Sequence, residues 1–210
     1  MPGETIIRLV RGDGTVDDVR AAGTVDAGGD TGSTSAVSPD GRALFLWNPS
    51  GRALTRVDLV SGEVRTGTAT AAAPGPLAAI GRWLVPSAEA KVLLSAAIAV
   101  SPDGSRVYAL GITGGARGDA FAGSAGILVF DASSLTVLAT WPPTADFVSV
   151  AVSADGRSVY AAGSPRFGAD GRATSQPASV TVFDAATGNV RLIAGELGRA
   201  MLLFPSTILP

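Results

Sequence analysis

The chain contains no cysteine and no histidine. Without cysteine there is no disulfide, no thiolate nucleophile and no thiolate metal site, and the redox compartment leaves no mark on the sequence. Without histidine the commonest general base and metal ligand is missing, so acid–base chemistry would fall to carboxylates. Lysine is nearly absent as well: Lys91 is the single one among 16 Lys and Arg residues. The arginines are scattered through turns and the net charge is −2. Neither nucleic acid nor an anionic membrane surface is therefore expected as a partner, because both need a concentrated basic surface. The longest apolar runs, Val92–Val100 and Met201–Phe204, fall short of the ~20 residues of a spanning helix. The opening MPGETIIRLVRGDG lacks a basic stretch followed by a long apolar core, so no signal peptide is expected in it. What remains is a 210-residue chain, 46% hydrophobic, with ample material for a core.

That material is organised by repetition. AVSPDGSRVYAL at 99–110 recurs as AVSADGRSVYAA at 151–162 and as AVSPDGRALFLW at 36–47. Each copy is followed by a second shared phrase: VFDASSLTVLAT at 129–140, VFDAATGNVRLI at 182–193 and VDLVSGEVRTGT at 57–68. Residues 5–22 match the second phrase, with Val10 where the other copies have Asp58, Asp131 and Asp184. In SPDG the proline presets φ, the aspartate accepts from backbone N–H groups just ahead, and the glycine takes the positive φ that closes a hairpin. Asp40, Gly41, Asp103, Gly104, Asp155 and Gly156 are thus read as turn residues, as are Asp58, Asp131 and Asp184 in the second phrase. Between the turns lie short runs rich in Val, Ile, Tyr, Phe and Thr. In the first unit they predict a buried strand over Ser35–Val37 and strands over Arg42–Trp47, Leu54–Leu59 and Val64–Thr70.

The string VSPDGxxVYA followed by VFDAxTGxV resembles the YVTN-type, WD-repeat-like repeats of bacterial propeller proteins, and the likeness covers nearly the whole chain outside its insertions. It implies an all-β fold, a β-propeller of four-stranded antiparallel blades. One domain, 1–210, is then expected. It would comprise a partial blade at 5–30, a blade at 33–73, a helical insertion at 74–94, blades at 95–143 and 145–197, and a strand of a further or closing blade at 199–206. Three full blades with leftovers read as a piece of a larger ring, in preference to a four-bladed ring whose last blade joins both termini. An open arc would leave unpaired strand edges and invite homo-association.

Ser38, Ser101 and Ser153 head successive copies at intervals of 63 and 52 residues, against roughly 40–45 for a bare blade. The excess lies at 74–94, where Leu77, Ile80 and Leu84 share a helical face, at 111–126 and at 163–178. In an up-and-down blade all three fall at the end away from the SPDG and VFDA turns, so they are expected on one face. Long loops on a rigid scaffold are where binding usually sits. The residues expected to bind are Arg117, Asp119, Phe121, Arg166, Phe167, Asp170 and Arg172, which combine the arginine and aromatic character of interaction hot spots. The function they suggest is a non-catalytic scaffold for a protein or glycan partner. The alternative is a hydrolase or lyase using Asp119 and Asp170, since two carboxylates suffice for some glycosidases.

Other motifs carry less. Asp30-Thr31-Gly32-Ser33 spells an aspartic-protease signature, but that chemistry needs two such aspartates sharing a proton and one copy is present. Arg11-Gly12-Asp13 and Arg117-Gly118-Asp119 are three-letter matches in a chain rich in all three residues. Asp13, Asp17 and Asp18 lack the oxygen spacing of a calcium loop. Gly111, Gly114, Gly115 and Gly118 lack the strand-then-helix setting of a dinucleotide fingerprint. No cofactor and no metal are expected. Phe45, Tyr108 and Tyr160 share one register position and read as packing between repeats.

Overall fold

A computed structural model describes residues 5–10, 13–21, 34–49, 51–69, 97–112, 124–145, 147–163 and 179–194. The expected helical insertion at 74–94 and the strand at 199–206 lie outside them. Each repeat folds as an antiparallel meander because its turn residues recur every few positions between β-branched and aromatic runs. A hairpin of β1 (Thr5–Val10) and β2 (Val16–Ala21) comes first. Sheet 1 follows as β3 (Thr34–Val37), β4 (Ala43–Asn48), β5 (Ala53–Asp58) and β6 (Val64–Thr68). Sheet 2 is β7 (Ile98–Val100), β8 (Arg106–Ile112), β9 (Ser124–Asp131) and β10 (Val137–Trp141). Sheet 3 is β11 (Phe147–Val152), β12 (Ser158–Gly163), β13 (Ser179–Asp184) and β14 (Val190–Ala194). In every sheet the hydrogen-bonded order follows the chain order, and all pairs are antiparallel. There is no helix among the described residues.

The sheets are register copies of one another. Ala36 faces Phe45, Ala99 faces Tyr108 and Ala151 faces Tyr160 across the first two strands. The same rung runs on through Arg56 and Arg65 in sheet 1, Val129 and Ala139 in sheet 2, and Val182 and Leu192 in sheet 3. Sheets 2 and 3 carry a bulge in the fourth strand, after Val137 and after Val182 of the facing strand, while sheet 1 runs straight.

The first strands β3, β7 and β11 lie beside one another, so the sheets stack face to face about their first strands. A single core runs through all three. Trp47 of β4 crosses into sheet 2, where its Nε1–H donates to the Leu110 carbonyl at 2.8 Å and its ring meets Phe130 edge-on at 5.6 Å. Trp141 of β10 stacks on Phe183 of sheet 3 at 5.5 Å. Each fully buried aromatic of this kind contributes roughly 1.5–3 kcal/mol.

Phe45 and Tyr108 are buried, as their shared position suggests, but Tyr160 is half-exposed. Phe45 and Tyr108 lie on sheets whose outer neighbour, sheet 2 or sheet 3, is described; sheet 3 has no such neighbour among the described residues. β3 departs from the expected buried strand in the same way: Val37 is 50% exposed, whereas Val100 and Val152 pack against the core. On the Val37 side, sheet 1 meets only the β1–β2 hairpin among the described residues. That hairpin sits against the outer turn of sheet 1, where a Cβ on Gly62 would come within 2.2 Å of the Arg20 carbonyl oxygen.

Candidate functional site

The two ends of the sheets differ in chemistry. At one end lie the SPDG and Asp-headed turns, built by their own side chains. Ser38 Oγ donates to Asp40 Oδ1 at 2.6 Å and accepts from the Ala43 N–H at 2.8 Å. Ser101 with Asp103, and Ser153 with Asp155, repeat the arrangement at 2.6 Å, with the Arg106 and Ser158 N–H groups completing each loop. Gly41, Gly104 and Gly156 all have φ near +70° (69°, 71° and 69°), the conformation the turn demands. Pro39 packs near Gly104 and Pro102 near Gly156, so the three turns neighbour one another on one face.

In the outer turns, Asp58 Oδ1 accepts from the Val60 and Ser61 N–H groups, Asp131 from Ser133 and Ser134, and Asp184 from Ala186 and Thr187. These hydrogen bonds favour the ionised form. The Ser101 hydroxyl holds Asp103 down at about 2, and the Ser134 N–H does the same for Asp131, also at about 2. Asp40, Asp58, Asp155 and Asp184 are lowered for the same reason. All six are acceptors at neutral pH, each with Oδ1 committed to its turn, a poor starting point for a general acid.

Between sheets 1 and 2 at this end runs a groove of about 380 Å³. Sheet 1 contributes Arg42, Arg56 and Arg65; Pro39 and Pro102 form its walls, with Ser133 opposite. Arg65 Nη1 donates to the Ser133 carbonyl at 3.2 Å, and Arg56 Nη2 lies 3.6 Å from Asp58 Oδ2. The sequence reading did not single out these arginines. Arg56 and Arg65 share one rung of β5 and β6, and Arg42 joins them only in the lining of the groove.

At the other end, Ile112 pairs with Ser124 and Gly163 with Ser179, closing the described parts of β8–β9 and β12–β13. Arg117, Asp119, Phe121, Arg166, Phe167, Asp170 and Arg172 lie outside the described residues, so nothing here brings Asp119 and Asp170 together or apart. A second cavity, about 650 Å³, opens between sheets 1 and 2 and is lined by Arg52, Thr68, Ala125, Leu135 and Thr140 among others. Arg52 holds a left-handed φ of 49°, and its buried Nε has no hydrogen-bond partner among the described residues.

Stacked four-stranded meanders meeting along their first strands define the architecture, and solved structures share it. The fold is a β-propeller. The chain is similar to hydrazine synthase of Kuenenia stuttgartiensis, with a TM-score of 0.57 and 18% identity over 91% of this chain and 43% of that one. A chain of the mitotic checkpoint complex matches with a TM-score of 0.53 and 12% identity, over 91% of this chain and 44% of that one. TolB from Acinetobacter baumannii gives 0.52 and 17%, over 90% and 36%. This chain thus spans less than half the length of each of these propellers. At such identities the likeness is one of fold. No protein-family model and no curated protein sequence matches the chain. Sheets 1 to 3 are blades 1 to 3, and β1–β2 forms a separate two-stranded sheet.

Proposed function

We propose that this chain is a YVTN-type stretch of a larger propeller, a non-catalytic scaffold that takes a protein partner on the face carrying 74–94, 111–126 and 163–178. One observation carries the reading. The strand pairs bounding two of these segments, Ile112 with Ser124 and Gly163 with Ser179, close at the end away from the self-satisfied SPDG turns. Arg117, Asp119, Phe121, Arg166, Phe167, Asp170 and Arg172 lie in sequence beyond what the blade repeat requires, and such inserted segments commonly serve recognition. The similar chain of the mitotic checkpoint complex belongs to a protein assembly, which fits a protein partner over a glycan. The VSPDG and VFDA phrases support the repeat family.

Photo-crosslinking residues at positions 121 and 167, with a control at exposed Leu192 on the outer strand of blade 3, test this in cells producing the protein. The expected result is one protein adduct from both loop positions and none from the control. Adducts from position 192 alone, or a glycan captured with no protein adduct, would overturn it.

A further inference from the structure

Arg56 and Arg65 stand directly opposite each other on β5 and β6. Like charges in facing positions of an antiparallel pair repel, and the fold has no need of them there. The sister blades show this, since the same rung holds Val129 with Ala139 in blade 2 and Val182 with Leu192 in blade 3. Blade 1 therefore sets two guanidinium groups side by side where its copies set aliphatic pairs, and both line the groove against blade 2. Arg42 lines the groove as well, and its backbone N–H donates to Asp40 Oδ1 at 3.1 Å.

The carboxylates nearby discharge this cluster only in part, through the ion pair of Arg56 with Asp58. Asp40 and Asp103, which also line the groove, are turned into their own SPDG loops by serine hydroxyls and backbone N–H groups. Asp58 spends Oδ1 on two backbone N–H groups and reaches Arg56 only at 3.6 Å. The proline walls and the buried ring of Phe45 lower the local dielectric and strengthen any charge pairing within.

We propose that this groove is a carboxylate-recognition site, occupied by an Asp or Glu side chain of an acidic peptide segment of a protein partner. Guanidinium groups match a carboxylate through paired N–H···O bonds, and two of them line this groove from facing positions. The lining carries three arginines and two aspartates, and Asp58 pairs with Arg56 from beside it. So little unspent positive charge suits a monoanionic carboxylate better than a dianionic phosphate. The site lies at the short-turn end and stands independently of the loop face proposed above.

The test exchanges the arginine pair for that of blade 2. Arg56→Val with Arg65→Ala recreates a pair the fold already tolerates and keeps a folded protein in hand. The full chain is titrated at millimolar levels with an acetylated, amidated Ala-Glu-Glu-Ala peptide, following the arginine Nε–H signals by NMR. The Gln counterpart and a phosphoserine peptide serve as competitors. The expected outcome is saturable shifts of the Arg56 and Arg65 signals with the Glu peptide, at least tenfold weaker binding of the Gln peptide, and loss of binding in the double variant with no fall in melting temperature. Equal binding of the Gln peptide, or undiminished binding by the double variant, overturns the site. Tighter binding of the phosphoserine peptide overturns the monoanion assignment. A large fall in melting temperature would show that the pair serves the fold instead.

Discussion

Gly67 of blade 1 lies so close to Leu135 of blade 2 that a Cβ on it would come within 2.3 Å of the Leu135 carbonyl oxygen. The next interface inverts the sizes. Gly67 pairs with Leu54 across its ladder, and Trp141 pairs with Ile127 at the matching rung of blade 2. Leu135 has its counterpart in Gly188 of blade 3, each four residues after the turn aspartate. A Cβ on Gly188 would come within 2.2 Å of Trp141 Nε1. Small meets large at blades 1 and 2, and large meets small at blades 2 and 3. Leu135 keeps the left-handed φ of 59° that its glycine counterparts Gly62 and Gly188 hold at 75° and 73°. Its burial offsets that strain.

The exchange predicts coupled stabilities. Gly67→Ala should cost about 2 kcal/mol, since its methyl meets backbone rather than a movable side chain. Leu135→Gly should cost a similar amount, because relief of roughly 1–2 kcal/mol of left-handed strain only partly offsets the lost buried leucine. Gly67→Trp alone should be worse than either, and adding Leu135→Gly should recover part of the loss. Chemical denaturation of the four proteins would show it; strictly additive effects would refute the pairing.

The Trp47 indole bridges blades 1 and 2 through the Leu110 carbonyl. Trp47→Phe keeps most of the ring packing but leaves that carbonyl without the indole donor, at a cost of about 1–3 kcal/mol. Urea denaturation measures the loss, and a change below about 0.5 kcal/mol, the floor for an ordinary hydrogen bond, would mean that water replaces the donor.

The SPDG turns predict a modest effect from their serines. Ser101→Ala removes both the donor to Asp103 and the acceptor for the Arg106 N–H. A loss of about 1 kcal/mol is expected. The Asp103 carboxyl should then titrate at a higher pH, readable by NMR. An unmoved titration would deny the hydroxyl its part in stabilising the carboxylate.

Acid should weaken this fold through the same turns. Asp103 and Asp131 are held at about 2, below the unfolded carboxylate value near 4. Their contribution is therefore fully present above pH ~4 and lost as pH falls toward ~2. Asp103→Asn with Asp131→Asn keeps an acceptor in each turn but no titrating group. Its melting temperature should fall less between pH 5 and pH 2 than that of the parent protein; identical profiles would show that other groups govern acid unfolding.

Much of the architecture was legible in the chain itself. The turn residues of SPDG and VFDA act on their immediate neighbours, through φ preferences and hydrogen bonds two to five positions away, so local sequence suffices to place them. Alternation of apolar residues between those turns then sets strand positions to within a residue or two. The interfaces were not legible. Counting from Val64 and Val137 would match Thr68 with Trp141 and Arg65 with Leu138. The bulge after Val137 instead brings Trp141 level with Gly67 and Ala139 level with Arg65. A bulge depends on how one strand bends against its partner, and the partner lies on another part of the chain. Whether a leucine meets a glycine, or two arginines share a groove, was therefore decided only once the blades stacked.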